Sequence, residues 1–283
     1  MLFKREYLCV FLAVGLIFFI KPALAENPVK NDKPWEKFSL KFGYFISTVD
    51  SDLRLGSGVG LSVDVEELLG LDTTNSVFRI DSFWRFTENR RHRLDLTWFS
   101  FRRDGSNIVG QDIPIKDDDG NEITIPAGSH VDGKFNLDIY KAGYSYSFIQ
   151  DDRMDLAFVV GLYVMPIEIG LNSTGVVNVD EKETFIAPFP TFGLRADFAI
   201  TPKWFLRSGF EVFYLEIDKF TGTLYETFIS VEYLPWKNFG FGLGFDTFNL
   251  GIEADGKDYP GIDFKGEIDF KYSGLLLYAK MFF

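Results

Sequence analysis

From residue 36 onward, apolar and polar side chains alternate with a period of two in one segment after another. In 76–87, Phe78, Ile80, Trp84 and Phe86 fall on one face, with Arg79, Asp81 and Arg85 on the other. In 204–214, Trp204, Leu206, Phe210, Val212 and Tyr214 oppose Arg207, Gly209 and Glu211. The same rule sets Phe192, Leu194, Ala196, Phe198 and Ile200 against Thr191, Arg195 and Asp197. It also sets Tyr225, Ile229, Val231 and Tyr233 against Glu226, Ser230 and Glu232. Successive side chains of an extended chain point to opposite sides, so each segment predicts a two-faced β-strand. Charges of both signs on the second face argue against a simple sandwich core there.

Short polar connections (88–92, 150–153, 201–203 and 235–238) take turns with mostly longer ones (50–75, 104–133, 170–183, 218–222 and 253–261). That parity predicts ten strands, at 36–49, 76–87, 93–103, 134–149, 154–169, 184–200, 204–217, 223–234, 239–252 and 262–283. Several exceed the roughly 9–11 residues that cross a bilayer. The stretch 50–75, with strand-like Leu53–Val65 and a helical turn at Glu66–Leu69, reads as an elaborated outer loop, because one more crossing breaks the parity. The same pattern also fits eight or twelve strands.

Aromatic residues make up 17% of the chain, with 32 Phe and 12 Tyr, yet mean hydropathy is only +0.02. An aromatic face that meets lipid, averaged with a polar one, gives that combination. After residue 25 no apolar run approaches the ~18 residues of a membrane helix. Before it, Lys4 and Arg5, the 13-residue apolar run Leu8–Ile20 and Ala23-Leu24-Ala25 have the layout of a cleaved secretory signal peptide, 1–25. The lone Cys9 lies inside that run, so processing leaves no cysteine. Losing Lys4, Arg5, Lys21 and Glu6 with the leader takes the formal charge from −12 to −14. So acidic a surface repels polynucleotides. Residues 26–35, polar and carrying two prolines, read as a short periplasmic lead-in, and 36–283 as one domain.

The chain ends Leu275-Leu276-Leu277-Tyr278-Ala279-Lys280-Met281-Phe282-Phe283, with Leu275, Leu277, Met281 and Phe283 in one register. Leader, alternating strands, alternating connections and aromatic terminus together resemble small Gram-negative outer-membrane β-barrel proteins of the OmpA/OmpW-like type, over nearly the whole chain. No motif fixes a subfamily. The resemblance implies an all-β, transmembrane, antiparallel up-and-down barrel in the cell outer membrane, with short turns in the periplasm and longer loops outside. It also implies that the strand ending in Phe283 is read by the barrel-assembly machinery. Members of this class act as narrow porin-like pores, structural or adhesive proteins, and lipid-modifying enzymes, so the fold implies no single function.

Three places could carry chemistry. The polar face holds Arg79, Asp81, Arg85, Arg93, Asp95, Arg195, Asp197, Arg207, Glu211, Glu226, Glu232 and Asp246, expected to line the lumen as an ion-pair network that plugs it or, second, as the wall of a narrow channel for small solutes. Gly240, Gly242 and Gly244 leave room on that face. In the loop 104–133, Ser129, His130 and Asp132 are the elements of a hydrolase acting on lipid or surface substrates, whereas His92 reads as a solvated turn residue. Asp117-Asp118-Asp119-Gly120-Asn121-Glu122 lacks EF-hand spacing and reads as a hairpin tip framed by Ile113-Pro114-Ile115 and Ile123-Thr124-Ile125. Trp98, Tyr144, Tyr146, Trp204, Tyr225, Tyr233, Trp236 and Tyr278 suit interfacial girdles. The expected partners are outer-membrane lipid and lipopolysaccharide, the latter through divalent cations at the acidic loops. The protein reads as a monomer, non-enzymatic and without cofactor or metal.

Overall fold

The structure is a computed structural model that describes residues 34–55, 63–64, 66, 70–110, 112–116, 122–174, 179–259 and 262–283. The expected leader, most of the lead-in and the tip 117–121 lie outside the described residues. Thirteen strands occur among them: β1 (Phe38–Leu55), β2 (Val63–Asp64), β3 (Thr74–Arg85), β4 (His92–Ile108), β5 (Ile113–Lys116), β6 (Glu122–Ile125), β7 (His130–Gln150), β8 (Met154–Thr174), β9 (Val179–Thr201), β10 (Trp204–Ile217), β11 (Phe220–Tyr233), β12 (Phe239–Tyr259) and β13 (Ile262–Phe282).

Ten of these form the wall, each antiparallel to the next in the order β1-β3-β4-β7-β8-β9-β10-β11-β12-β13. The last strand then pairs back with the first, from Ser39 opposite Phe282 to Leu55 opposite Gly266. The sheet is thus a closed up-and-down barrel, and the alternation in the sequence is its inside–outside code. Along β10, Phe205, Arg207, Glu211 and Phe213 are buried while Trp204, Phe210, Val212 and Tyr214 are exposed. The outward face is apolar around the wall, with Leu277, Phe192, Phe158 and Leu96 among its most exposed side chains.

The strands run further toward the long-connection end than the sequence pattern indicates. β8 continues to Thr174, β9 begins at Val179 and β12 reaches Tyr259. Segments read as loops at 170–183 and 253–261 are therefore largely tall hairpins, because each neighbour extends the other's hydrogen-bond ladder where amphipathic alternation has faded. The 218–222 connection shrinks to a two-residue turn. Ile217 pairs with Phe220, and Asp218 adopts φ 50°, a left-handed conformation that Asp tolerates better than bulky residues.

The segment 50–75 lends its ends to the wall, continuing β1 to Leu55 and opening β3 at Thr74. Its two-residue β2 pairs with β1, and Glu66 and Leu71 are buried. In the loop 104–133, β5 and β6 pair from Ile113–Ile125 to Lys116–Glu122, the hairpin expected from its flanks. Ile125 at its base joins the barrel core.

On the inner face, the Tyr278 ring lies directly over Gly242, in the space a Cβ at that position would occupy. An alanine at Gly244 meets Ser230 Cβ at 3.2 Å, the Ile229 carbonyl at 3.4 Å and Leu276 Cβ at 3.8 Å. Gly242→Ala should therefore lower the unfolding free energy by about 1–3 kcal/mol in urea titrations of the refolded barrel, with Gly244→Ala costing clearly less.

Candidate functional site

The barrel interior is filled in layers. At the short-turn end the chain just before β1 enters the mouth. Trp35 is fully buried, donates Nε1–H to the Asp151 carbonyl at 2.7 Å, and packs edge-on to Phe205 at 6.3 Å. The final residue of the expected lead-in is thus a stopper rather than a free tether. Beside it, the Glu36 carboxylate accepts from Arg207 at 2.8 and 3.0 Å and from Lys280.

Above this stopper lies a connected ionic layer. Arg85 reaches Asp155 at 2.9 Å; Arg195 bonds Asp197, which also accepts from Arg207 at 3.0 Å. Glu232 takes Lys280 at 2.6 Å, Lys41 at 2.9 Å and Arg207 at 3.2 Å. Arg93 pairs with Asp95. Lys141 bridges Glu211 and Glu226, each at 2.6 Å, and Tyr163 donates to Glu226. Arg79 joins Asp81 at 3.0 Å to Asp246 at 2.5 Å. All twelve residues picked from the polar face are therefore inside the wall and ion-paired. Lys41, Lys141, Lys280, Glu36 and Asp155 complete the network and were not among them. The three lysines were findable, since each is the polar member of an alternating stretch such as Ala279-Lys280-Met281. Nothing in the sequence marks Glu36 for the interior.

Above the ions the same inward positions turn aromatic. Phe248 stacks on Tyr272 at 5.0 Å, Phe45 meets Tyr272 at 5.4 Å, and Phe135 stacks on Phe270 at 5.7 Å. Arg79 joins the two layers, its guanidinium 4.8 Å from the Phe99 ring. Many Phe residues therefore face inward, whereas the pattern alone assigned rings to lipid and charges to the lumen. At the long-connection end, Glu66 folds in to accept from the Ser51 amide at 2.9 Å, its hydroxyl at 2.7 Å, and Arg103. Between the ionic groups remains a cavity of about 110 Å³ lined by Lys41, Arg79, Asp81, Lys141, Glu226 and Asp246 among others. It has room for a few water molecules.

The girdle residues named from sequence lie on the exposed face, except Tyr278. That side chain is buried and donates to Glu232 at 3.0 Å, as its register opposite Leu277 requires. His92 sits in the girdle, 2.7 Å from the Tyr144 hydroxyl and 5.0 Å from the Tyr146 ring. His130 lies 3.4 Å from Asp132 and both are exposed, while Val131 between them is buried. The pair thus faces out of the wall. No hydrogen bond joins Ser129 to His130 among the described residues, so no nucleophile–base pair is assembled there.

Glu36 precedes the first strand. Burial pushes its carboxyl pKa up, but Arg207, Lys280 and Arg85 outweigh that and hold it well below the usual range. A group lowered on folding contributes stability above its unfolded pKa, near 4.3. That contribution is lost as pH falls toward the lowered value. Glu36→Gln should flatten the acid side of the stability–pH curve and, by leaving buried cations short of an anion, cost roughly 3–5 kcal/mol at pH 7. Urea unfolding in detergent micelles across pH measures both.

No family model matches this chain, and no curated protein matches it. Among solved structures it is similar to the outer membrane protease OmpT from Escherichia coli, at 6% identity over 87% of this chain and 96% of that one, with a TM-score of 0.54. OprG from Pseudomonas aeruginosa aligns at 8% identity and TM-score 0.34 over 89% and 98% of the chains. The attachment invasion locus protein Ail of Yersinia pestis aligns at 10% and 0.33 over 87% and 99%. The likeness to OmpT is one of fold: this chain is built as a closed, ten-stranded antiparallel up-and-down β-barrel.

Proposed function

We propose that this protein is an integral outer-membrane barrel exported through a cleaved leader, and that it serves as a closed, non-enzymatic component of the envelope surface rather than as an open pore. The observation that carries this reading is the lumen. A stopper, an ionic layer, an aromatic layer and an inward-folded loop follow one another along the axis, and between the ionic groups lies a cavity of about 110 Å³. Buried ions with hydrogen-bonded partners are not free to rearrange for a passing solute without leaving a charge bare, which costs several kcal/mol. The wide apolar exterior supports the membrane location. The acidic outer connections favour divalent cations as bridges to lipopolysaccharide phosphates.

Two measurements test this. In planar bilayers the wild-type protein should give no discrete conductance steps. Regular steps from the wild type would replace the closed reading with the narrow channel. For the location, Leu277→Arg places a charge on the outward face and should cost about 2–4 kcal/mol in vesicle-embedded protein. If that variant is as stable as wild type in bilayers, the exterior does not face lipid.

A further inference from the structure

Five junctions close the barrel at its short-turn end: the meeting of β1 with the end of β13, and the β3–β4, β7–β8, β9–β10 and β11–β12 turns. Each carries a surface cation, in that order Lys37, Arg91, Arg153, Lys203 and Lys237; the β3–β4 turn has a second, Arg90, half-buried and donating to the Trp35 carbonyl. Four are exposed, and Arg91 is half-buried, donating to the Ser147 and Phe148 carbonyls at 3.1 and 3.4 Å. None of the five is in a salt bridge among the described residues, in a molecule whose interior cations all are. Three carboxylates share this end, Glu88, Asp151 and Asp152. Asp151 accepts from the Arg153 and Met154 amides at 2.7 and 2.8 Å and so shapes its own turn.

The depth of the cations is set by their neighbours. Lys203 adjoins Trp204, which stacks on Tyr233 at 4.6 Å; Lys237 adjoins Trp236, 5.7 Å from Phe241. Arg91 adjoins His92 in its aromatic cluster, and Lys37 adjoins Phe38, 6.4 Å from Phe283. Girdle aromatics settle at the headgroup level, so each of these four cations is held one residue beyond the hydrocarbon edge. The other end has the opposite character. Residues 56–73 contain Asp64, Glu66, Glu67 and Asp72 and no lysine or arginine, and 109–129 contain five carboxylates and Lys116 alone.

We propose that this ring binds the phosphate groups of anionic phospholipid in the leaflet at the short-turn end. A lysine or arginine at that depth meets phosphodiester oxygens with charge-assisted hydrogen bonds. With a cation at every junction, the lipids are bound around the circumference and not in a pocket. The inference rests on the membrane reading above, deepening it to a lipid class and a side.

The test reconstitutes full-length mature protein into nanodiscs of phosphatidylcholine containing a minority of phosphatidylglycerol and quantifies the lipid that stays with it on detergent exchange. Wild type should retain phosphatidylglycerol above the bulk ratio, by about fivefold per basic site, and lose that excess as ionic strength rises. The K37Q/R91Q/R153Q/K203Q/K237Q variant should retain the bulk ratio, while a variant changed at the opposite end, K134Q/K219Q/K271Q, keeps the wild-type excess. If the five-site variant does not refold, K203Q and K237Q, both in solvated turns, should each lower the excess in part. A wild-type shell of bulk composition, or an excess untouched by the ring substitutions, overturns the proposal. Failure of wild type to insert even into pure phosphatidylcholine would instead count against the membrane reading.

Discussion

The hydrogen bonds between β1 and β13 turn a ribbon with two raw edges into a wall without any. Every other feature follows from that closure. In hydrocarbon an unpaired amide has no water to turn to, and a strand edge is where a sheet would otherwise recruit another chain. Because the sheet closes, alternation acquires a single meaning all the way round, and two populations of side chains are separated by one thickness of backbone. The outside can then be uniformly apolar while the inside carries charge.

Enclosure changes what those charges can do. A surface carboxylate is solvated and indifferent to its neighbours; one inside this barrel must find a cation. The network meets that demand by sharing. Glu232 serves three cations, Lys141 two carboxylates, and Asp197 at least two arginines. Shared partners make the layer rigid, since moving one member disturbs several. The aromatic layer beyond needs no such matching and fills the lumen toward the long connections by shape. Charge near the stopper and rings toward the loops divide the interior into a part fixed by pairing and a part fixed by packing.

Much of this was legible in the chain. Period-two alternation located all ten wall strands, and the parity of connections placed their ends on common sides. The twelve charged residues named from the polar face lie within the ion-paired layer. What the pattern hid has a common cause: it reports polarity, and polarity stops discriminating wherever both faces of a strand have the same kind of neighbour. Phe135, Leu137 and Ile139 are apolar and buried in the lumen, so they resemble a lipid face in sequence. The hairpins at the long-connection end are polar or mixed on both sides, so β8, β9 and β12 looked shorter than they are. Trp35 and Glu36 precede any strand, and only the three-dimensional meeting of the chain's beginning with Arg207 and Lys280 gives them a place.

That meeting has a consequence for how the two ends find their alignment. A β-ladder can slide by two residues and still keep each side chain on its own face, so polarity alone does not choose among such alignments. If β13 slid by two, Tyr278 or Phe282 would stand at the level of Lys280, and Glu36 and Glu232 would lose the ammonium they share inside the wall. One lysine on the final strand thus acts as a keyed tooth: hundreds of residues after Glu36 is made, it admits a single alignment at the seam and rejects the near misses that hydrophobicity would accept.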